Sequence, residues 1–271
     1  MEDLIKRFTG ALIYIVALLG GLYFRQPMWL FVCAFLLIVA IYEWGRLSTH
    51  AHHPKKTILT SAIVLFIFLQ FGLFFSKFAY GPTWNNISIL SGIIYYLFCA
   101  LVFRGSFFDK KYVPGAFIYI LIPFIFLYLL GMAIPPTYLL LLFSIIWVSD
   151  TFAYLGGKLM GQRKLAPSIS PGKTWEGAIT GTLFAGLSAI LTARYLLKLE
   201  EFSIWFSIGI LVSIFGILGD LFESKIKRKH GIKNSGSLLP GHGGILDRMD
   251  SLLFAIPIYY ICVIILNIHI R

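Results

Sequence analysis

The stretch YLLLLFSIIWVSDTFAYLG, Tyr138–Gly156, is almost continuously apolar and carries a single acidic residue, Asp150. A membrane-spanning helix needs about 20 predominantly apolar residues, and this stretch has that length and composition. Lipid offers no hydrogen-bond partners, so only helices and closed barrels cross it with their backbone satisfied. Because the stretch lacks the strict alternation of a barrel strand, it predicts a transmembrane helix.

Similar runs recur along the whole chain, which has 271 residues, of which 58% are hydrophobic and only 13% charged. A soluble domain usually contains about 25% charged residues. We therefore predict an all-α polytopic membrane protein with about nine transmembrane helices. They lie at Phe8–Tyr23, Trp29–Trp44, Ile58–Phe75, Ile87–Phe103, Gly115–Ile134, Tyr138–Gly156, Gly177–Leu197, Ile204–Phe222 and Ser251–Ile268.

The distribution of basic residues predicts the orientation. If the N-terminus is cytoplasmic, all but five of the 23 Lys and Arg residues fall on the cytoplasmic side, as the positive-inside rule favours. Nine helices then place the C-terminus outside, and two long polar segments, residues 157–176 and 223–250, in the cytoplasm. We predict an N-terminal region of about five spans, residues 1–136, and a catalytic C-terminal region, residues 137–271, that contains both polar segments.

Composition also argues against other classes. The three cysteines, Cys33, Cys99 and Cys262, lie in apolar runs without metal-ligand spacing, which favours buried free thiols. The net charge of +11 is explained by basic residues on the cytoplasmic side. No separate basic domain is present, so we expect no nucleic-acid partner.

Acidic residues cluster at one depth. Seven of the 12 lie inside predicted spans or at their cytoplasmic borders: Glu43, Asp150, Glu176, Asp220, Glu223, Asp247 and Asp250. An ionised carboxylate inside a span costs at least about 2.5 kcal/mol. A helix–helix salt bridge or a protonated, hydrogen-bonded carboxyl suits any one of them taken singly. Several acids at one depth favour a divalent-cation site, since Mg²⁺ takes carboxylate and phosphate oxygens together.

The first polar segment contains SISPGKTWEG, Ser168–Gly177. It is not a P-loop, because a proline stands where that motif needs its first glycine. Ser170, Lys173 and Thr174 surround a Pro-Gly turn, and Glu176 lies at a helix start. A helix N-terminus attracts anions, which makes the segment a candidate phosphate site. An ordinary turn with a helix cap explains the same residues equally well.

The second polar segment has a basic half and a glycine-rich half. The basic half, Lys225–Lys233, suits either a positive-inside anchor or a contact with phosphate. The glycine-rich turn PGHGG, Pro240–Gly244, lets the backbone approach a ligand closely. It leads into Asp247, Arg248 and Asp250, and the two aspartates share a face if this stretch is helical. A metal, an anion-binding turn and fixed cations together favour phosphoryl or nucleotidyl transfer.

Together the two segments resemble the phosphatidate cytidylyltransferase family, also called CDP-diacylglycerol synthase. The family pattern S-x-x-K-R, K-D-x-G, P-G-H-G-G and D-R-x-D is matched by Ser224, Lys227, Arg228, Lys233, Gly236, Pro240–Gly244, Asp247, Arg248 and Asp250. The stretch from Asp150 to Gly177 is similar to a further family segment, and Lys6–Gly10 is a weak match near the N-terminus. One position departs from the pattern: Asn234 stands where the family usually has Asp.

The resemblance implies the reaction CTP + phosphatidate → CDP-diacylglycerol + pyrophosphate, with Mg²⁺ and a second cation, for which K⁺ is the candidate. It implies the metal ligands Asp220 and Asp247, with Asp250 and Asp150 as possible partners, and the catalytic residues Asp220, Asp247, Lys173, Arg248 and His242. The substrate-binding residues implied are Ser170, Thr174, Glu176, Lys227, Arg228, Lys233, Asn234, Gly241, Gly243 and Gly244. The expected partners are CTP, phosphatidate and membrane lipid, and a homodimer is compatible with the family. The expected location is the inner membrane of a bacterium, with the active site facing the cytoplasm.

Two other functions fit parts of the sequence. A CTP-dependent polyprenol or phytol kinase also carries a loose PGHGG-x-x-DRxD arrangement, although the SPxKTxEG stretch favours the cytidylyltransferase. A transporter of an anionic metabolite also needs acids within the membrane and basic residues at its mouth. Many transporter folds contain two related halves, and no such repeat is evident in this chain.

Overall fold

The computed structural model describes residues 16, 18–24, 27–48, 54–78, 82–104, 116–133, 135–232, 234–236 and 243–266. Helices make up most of these ranges. They are α1 (residues 18–24), α2 (Met28–Ser48), α3 (Pro54–Phe78), α4 (Pro82–Arg104), α5 (Ile122–Ala133), α6 (Pro136–Met160), α7 (Trp175–Thr192), α8 (Phe202–Lys229) and α9 (Leu246–Ile265). Two short π-helical segments, Ala116–Leu121 and Ala193–Leu197, adjoin α5 and α7.

Five of the helices in these ranges are long and apolar enough to cross a membrane, and they involve α2, α6, α7, α8 and α9. Shorter apolar stretches lie at Leu59–Phe71, Asn86–Leu101 and Phe117–Met132. These helices confirm the predicted fold class: the chain is an all-α polytopic membrane protein. The number of spans and the side on which each terminus lies stay predictions.

The helices at the second polar segment are longer than the sequence pattern predicts. Helix α8 continues beyond Phe222 to Lys229, and α9 begins at Leu246 instead of Ser251. Lys and Arg are good helix formers, and their charge favours the negative end of the helix dipole, so the basic run extends α8. Asp247, in the first turn of α9, is favourable at the positive end for the same reason.

By its internal contacts the chain forms two units. The first comprises Met1–Ala133 with Ile226–Met249, and the second comprises Ile134–Lys225 with Asp250–Arg271. The core of the first unit is aromatic. The indole N–H of Trp29 donates to the carbonyl of Tyr128 at 3.3 Å, which satisfies a polar group that burial would otherwise leave unpaired.

In the second unit, small residues let α6 and α7 approach each other closely. A Cβ placed on Gly181 would lie 2.6 Å from the carbonyl oxygen of Ser149 and 2.8 Å from Cβ of Ala153. Ser149 also shares a 2.6 Å hydroxyl–hydroxyl hydrogen bond with Ser213 of α8. Close approach at small residues and hydrogen bonds between helices are the usual means of packing inside a membrane.

A short hairpin joins α6 to α7 within the first polar segment. Strand β1 (Lys164–Ala166) pairs antiparallel with β2 (Ser170–Thr174), and the register shifts between the two pairing positions. Helix α7 begins immediately after β2, at Trp175. The hairpin therefore determines where the side chains before the α7 N-terminus lie.

Candidate active site

Thr174 is the N-cap of α7. Its backbone is extended, and its hydroxyl accepts a hydrogen bond from the N–H of Gly177 at 3.1 Å. The residue is 5% exposed, and a Cβ on Gly157 would lie 3.0 Å from the same hydroxyl. In this structure the Thr174 oxygen satisfies the helix end, and its binding of substrate stays a prediction.

Glu176 makes backbone contacts across the base of the hairpin. Its carboxylate accepts hydrogen bonds from the N–H groups of Gln162 at 3.1 Å and Arg163 at 3.2 Å. These bonds tie the residues after α6 to the first turn of α7. The backbone N–H of Trp175 adds a further bond, to the carbonyl of Arg163. The role of Glu176 in binding substrate stays a prediction.

The first candidate cluster is an ion pair between the hairpin and α8. Nζ of Lys173 lies 2.5 Å from Oδ2 of Asp220, and the two side chains are 26% and 31% exposed. The Ser224 hydroxyl, one helical turn along α8, donates to Oδ1 of Asp220 at 3.1 Å. Ser170 lies at the start of β2 and is half-buried. A partly exposed lysine and carboxylate can exchange their mutual contact for a phosphate and a cation.

The second candidate cluster surrounds Asp247. Oδ1 accepts from Nζ of Lys227 at 2.7 Å, and both oxygens accept from the N–H of Ser235, at 3.1 and 2.9 Å. Oδ2 also accepts from the N–H of Gly244 at 2.8 Å. The turn therefore wraps backbone donors around one carboxylate, as it would around a bound anion.

Glycine is required at position 243 of this turn. Gly243 has a φ of 82°, a conformation that other residues rarely adopt. A Cβ there would also lie 2.6 Å from Oδ2 of Asp247, so the close approach that the glycine-rich motif predicted is made to an internal carboxylate.

The remaining predicted site residues have different surroundings. Arg228 donates to the carbonyl of Ile232 at 3.1 Å and is exposed, and Arg248 and Asn234 are also exposed. Asp250 is half-buried and accepts from the N–H of Ser251. Asp150, which lies inside an apolar span, is exposed. Three predicted residues lie outside the described residues: Lys233, Gly241 and His242.

The arrangement of the acidic side chains indicates which of them could bind the predicted Mg²⁺. Within the part of the chain that the structure describes, no three His, Cys, Asp or Glu side chains gather closely enough to hold a metal ion. Mg²⁺ usually uses only one or two protein carboxylates and completes its shell with water and substrate phosphates, so a smaller donor set fits it. Asp220 is the more accessible candidate, at 31% exposed, whereas Asp247 is 8% exposed and its oxygens already accept from Lys227 and two backbone N–H groups.

Two residues outside the predicted site belong to the second cluster. Ser235 and Glu43 contribute hydrogen bonds around Asp247 and the start of α9. The position of Glu43 at the polar end of an apolar helix was a signal of an engaged carboxylate, but its partners are about 200 residues away in sequence. No local pattern identifies such partners.

Comparison with known proteins agrees with the motif resemblance. The model of the cytidylyltransferase family matches residues 5–266. A phosphatidate cytidylyltransferase of Staphylococcus aureus is 42% identical over 192 residues, covering 68% of this chain and 72% of the relative. The proteins of the same name from Staphylococcus epidermidis and Staphylococcus saprophyticus are each 38% identical, over 67% of this chain and 72% of the relative. The chain therefore belongs to the cytidylyltransferase family, and with its apolar helices it is a membrane nucleotidyltransferase.

Proposed function

We propose that this chain transfers CMP from CTP to phosphatidate, giving CDP-diacylglycerol and pyrophosphate. The observation that carries the proposal is the partly exposed pair of Lys173 and Asp220, 2.5 Å apart at the polar end of apolar helices. Its cation can bind phosphate and its carboxylate can face a magnesium ion. The names of the staphylococcal relatives support the choice of CTP and phosphatidate as substrates.

In the proposed reaction, a phosphate oxygen of phosphatidate attacks the α-phosphorus of CTP in line. A new phosphorus–oxygen bond forms, the bond from the α-phosphorus to the bridging oxygen breaks, and pyrophosphate leaves with that electron pair. The nucleophile is already an anion, so the protein has mainly to position the phosphates and neutralise their charge. We assign this neutralisation to Lys173, Lys227, Arg228 and Arg248, with Lys233 and His242 as further phosphate contacts that the resemblance implies.

Magnesium, when bound with the nucleotide, would neutralise the charge that develops on the phosphate oxygens. The proposed ligand of first choice is Asp220, because its carboxylate is accessible and one of its hydrogen bonds comes from a flexible lysine. Asp247, Asp250 and Asp150 remain the other proposed ligands, and K⁺ the proposed second cation. For magnesium to bind Asp247, Lys227 would have to leave that carboxylate and pair with a substrate phosphate, since the lysine and Asp247 form an ion pair in this structure.

We further propose that the protein works in the inner membrane of a bacterium with its polar segments in the cytoplasm, where CTP is available. Phosphatidate then reaches the site sideways from the cytoplasmic leaflet and keeps its acyl chains in lipid. A homodimer is the assembly compatible with the family, and the mass of the detergent-solubilised protein measured by light scattering would test it.

The deciding experiment uses CTP carrying its radiolabel at either the α- or the γ-phosphorus. Purified full-length protein in detergent–lipid micelles is incubated with phosphatidate and Mg²⁺, and the lipid is then extracted. Nucleotidyl transfer moves only the α-label into lipid, and the label should be lost with EDTA and in Asp220→Asn. With a polyprenol as acceptor, γ-label in the lipid would reveal the kinase. Folded wild-type protein that leaves both labels in water would favour the transporter.

A further inference from the structure

Glu43, near the polar end of α2, is a buried acid with no part in the proposed chemistry. It is only 2% exposed. Its Oε1 accepts from the N–H of Ile245 at 3.0 Å, and its Oε2 accepts from the N–H of Leu246 at 2.8 Å and the hydroxyl of Ser235 at 3.1 Å. All of these residues belong to the first unit. Burying a carboxylate is costly unless donors surround it, and these three donors offset that cost.

The two backbone donors lie at the start of α9. The first N–H groups of a helix have no partner within the helix, and a carboxylate placed there satisfies them and interacts favourably with the helix dipole. Here the carboxylate comes from another helix instead of from a local capping residue. Since Leu246 is immediately followed by Asp247, the cap determines where the Asp247 backbone begins its helical turn.

Ser235 links the two carboxylates directly. Its N–H donates to both oxygens of Asp247, and its hydroxyl donates to Glu43. Gly244 lies between the same two groups, because its N–H donates to Asp247 while a Cβ at this position would collide with Oε2 of Glu43 and Oγ of Ser235. A Cβ on Gly236 would likewise lie only 2.5 Å from Oε1 of Glu43. The turn is thus closed around Glu43 as tightly as around Asp247.

We infer that Glu43 is a positioning residue for nucleotidyl transfer. It holds residues 235–236 and 244–246 in place, so that Asp247 and its glycine-rich turn keep the geometry that the phosphates need. Glu43 itself touches neither substrate. Its effect on turnover rests on the proposed function, whereas its clamping of the α9 N-terminus can be measured without any substrate.

The test variant is Glu43→Gln, which keeps the shape but places an amide N–H₂ against backbone N–H donors. Amide hydrogen exchange of the full-length protein in detergent should show exchange at Ile245 and Leu246 about tenfold faster than in the wild type. Loss of such an outer partner typically costs roughly 10- to 100-fold in activity, and we expect kcat to fall by that factor. The KM for phosphatidate should stay within about twofold, because Glu43 binds no substrate.

Three further variants distinguish a loosened turn from a general folding defect. Gly236→Ala should displace the Glu43 carboxylate and reproduce both the faster exchange and the lower kcat. Gly216→Ala, whose new Cβ would lie an ordinary 3.6 Å from Ser251, should reproduce neither. Ser213→Ala removes a buried hydroxyl hydrogen bond of the second unit and should lower the unfolding temperature without changing kcat or the exchange at Ile245.

Unchanged exchange in Glu43→Gln would overturn the inference, and so would faster exchange with normal kcat. Faster exchange together with a lower kcat and an unchanged KM would support it. A wild-type protein without turnover would overturn the proposed function alone, and the exchange measurement would still decide whether Glu43 clamps the turn.

Discussion

Lys227 and Asp247 form an ion pair that is almost completely shielded from water: the Nζ–Oδ1 distance is 2.7 Å and the side chains are 9% and 8% exposed. The pair of Lys173 and Asp220 has the same chemistry but is 26% and 31% exposed. Solvent weakens the second pair and leaves the first intact. The two lysine–aspartate pairs of this chain therefore differ in how strongly each stabilises the fold.

The first prediction concerns stability. Lys227→Met leaves the buried Asp247 carboxylate without its cation, and breaking such a pair from one side costs about 3–5 kcal/mol. Lys173→Met breaks a partly exposed pair and should cost about 1 kcal/mol or less. Thermal unfolding of both variants in the same detergent measures the difference. Equal shifts of the unfolding midpoint would show that burial does not distinguish the two pairs.

The second prediction concerns turnover. Asp220→Asn removes the accessible carboxylate but keeps its shape and its hydrogen bond with Ser224. We expect kcat for CMP transfer to fall by about 100-fold, as when one charge-stabilising group is removed from an active site. The unfolding midpoint should move little. Glu200→Gln, which neutralises an exposed acid just before the start of α8, is the matched control and should keep full turnover.

The third prediction separates a helix cap from a phosphate ligand. Thr174→Ser keeps the oxygen that accepts from Gly177 and should retain stability to within about 1 kcal/mol, whereas Thr174→Ala should lose about 1–2 kcal/mol. If the hydroxyl acts only as the cap, CTP titration of Thr174→Ala at a temperature where it stays folded gives a normal KM. A KM for CTP that rises in Thr174→Ala but not in Thr174→Ser would instead show that the hydroxyl binds the substrate.

The fourth prediction tests the close contact of α6 and α7. Gly181→Ala would push a methyl group against the carbonyl of Ser149, and overpacking of this kind costs about 1–3 kcal/mol. Gly20→Ala provides the control, since no atom lies within 4 Å of the new Cβ. A helical Gly→Ala change in open space stabilises by about 0.4–1 kcal/mol. Opposite shifts of the two unfolding midpoints are expected, and shifts of the same sign would contradict the packing argument.

The fifth prediction concerns Asn234, where the family usually has Asp. The residue is exposed and precedes Ser235, whose N–H is held by Asp247. Asn234→Asp adds a carboxylate beside this turn, and carboxylates attract Mg²⁺. Turnover measured over a magnesium titration should reach half of its maximum at a lower Mg²⁺ concentration than in the wild type. An unchanged titration curve would mean that position 234 has no influence on the cation.

The fold class was predictable because each transmembrane helix is encoded by one continuous apolar run and needs no information from distant residues. Each apolar run specifies its own helix, because lipid permits only helices and closed barrels and these runs lack the alternation of barrel strands. The same runs predicted buried free thiols, and Cys33 and Cys99 are buried, whereas the free thiol of Cys262 is only half-buried. The end of α8 was less predictable, since the basic residues up to Lys229 are equally suited to a loop and to a helix terminus.

The sequence predicted which residues belong to the candidate site better than it predicted the contacts that each of them makes. Sequence motifs identified Lys173, Asp220, Lys227 and Asp247, and the structure pairs them two by two. A polar side chain near a helix start can bind a ligand or cap the helix, and only coordinates show that the Thr174 oxygen does the latter. Partners such as those of Glu43 depend on the folding of distant segments, which no local spacing encodes.

The length of α8 has a consequence for how a lipid and a nucleotide meet. Its 28 residues span about 42 Å, whereas the hydrocarbon layer is about 30 Å thick, so a helix that crosses it upright extends roughly two turns beyond the acyl chains. Asp220 and Lys227 both lie in the final third of this helix. If the polar segments lie in the cytoplasm, as proposed, this end of the helix reaches the level of the phospholipid headgroups. The proposed reaction then takes place on a lipid phosphate that stays in its leaflet, while the nucleotide approaches from water.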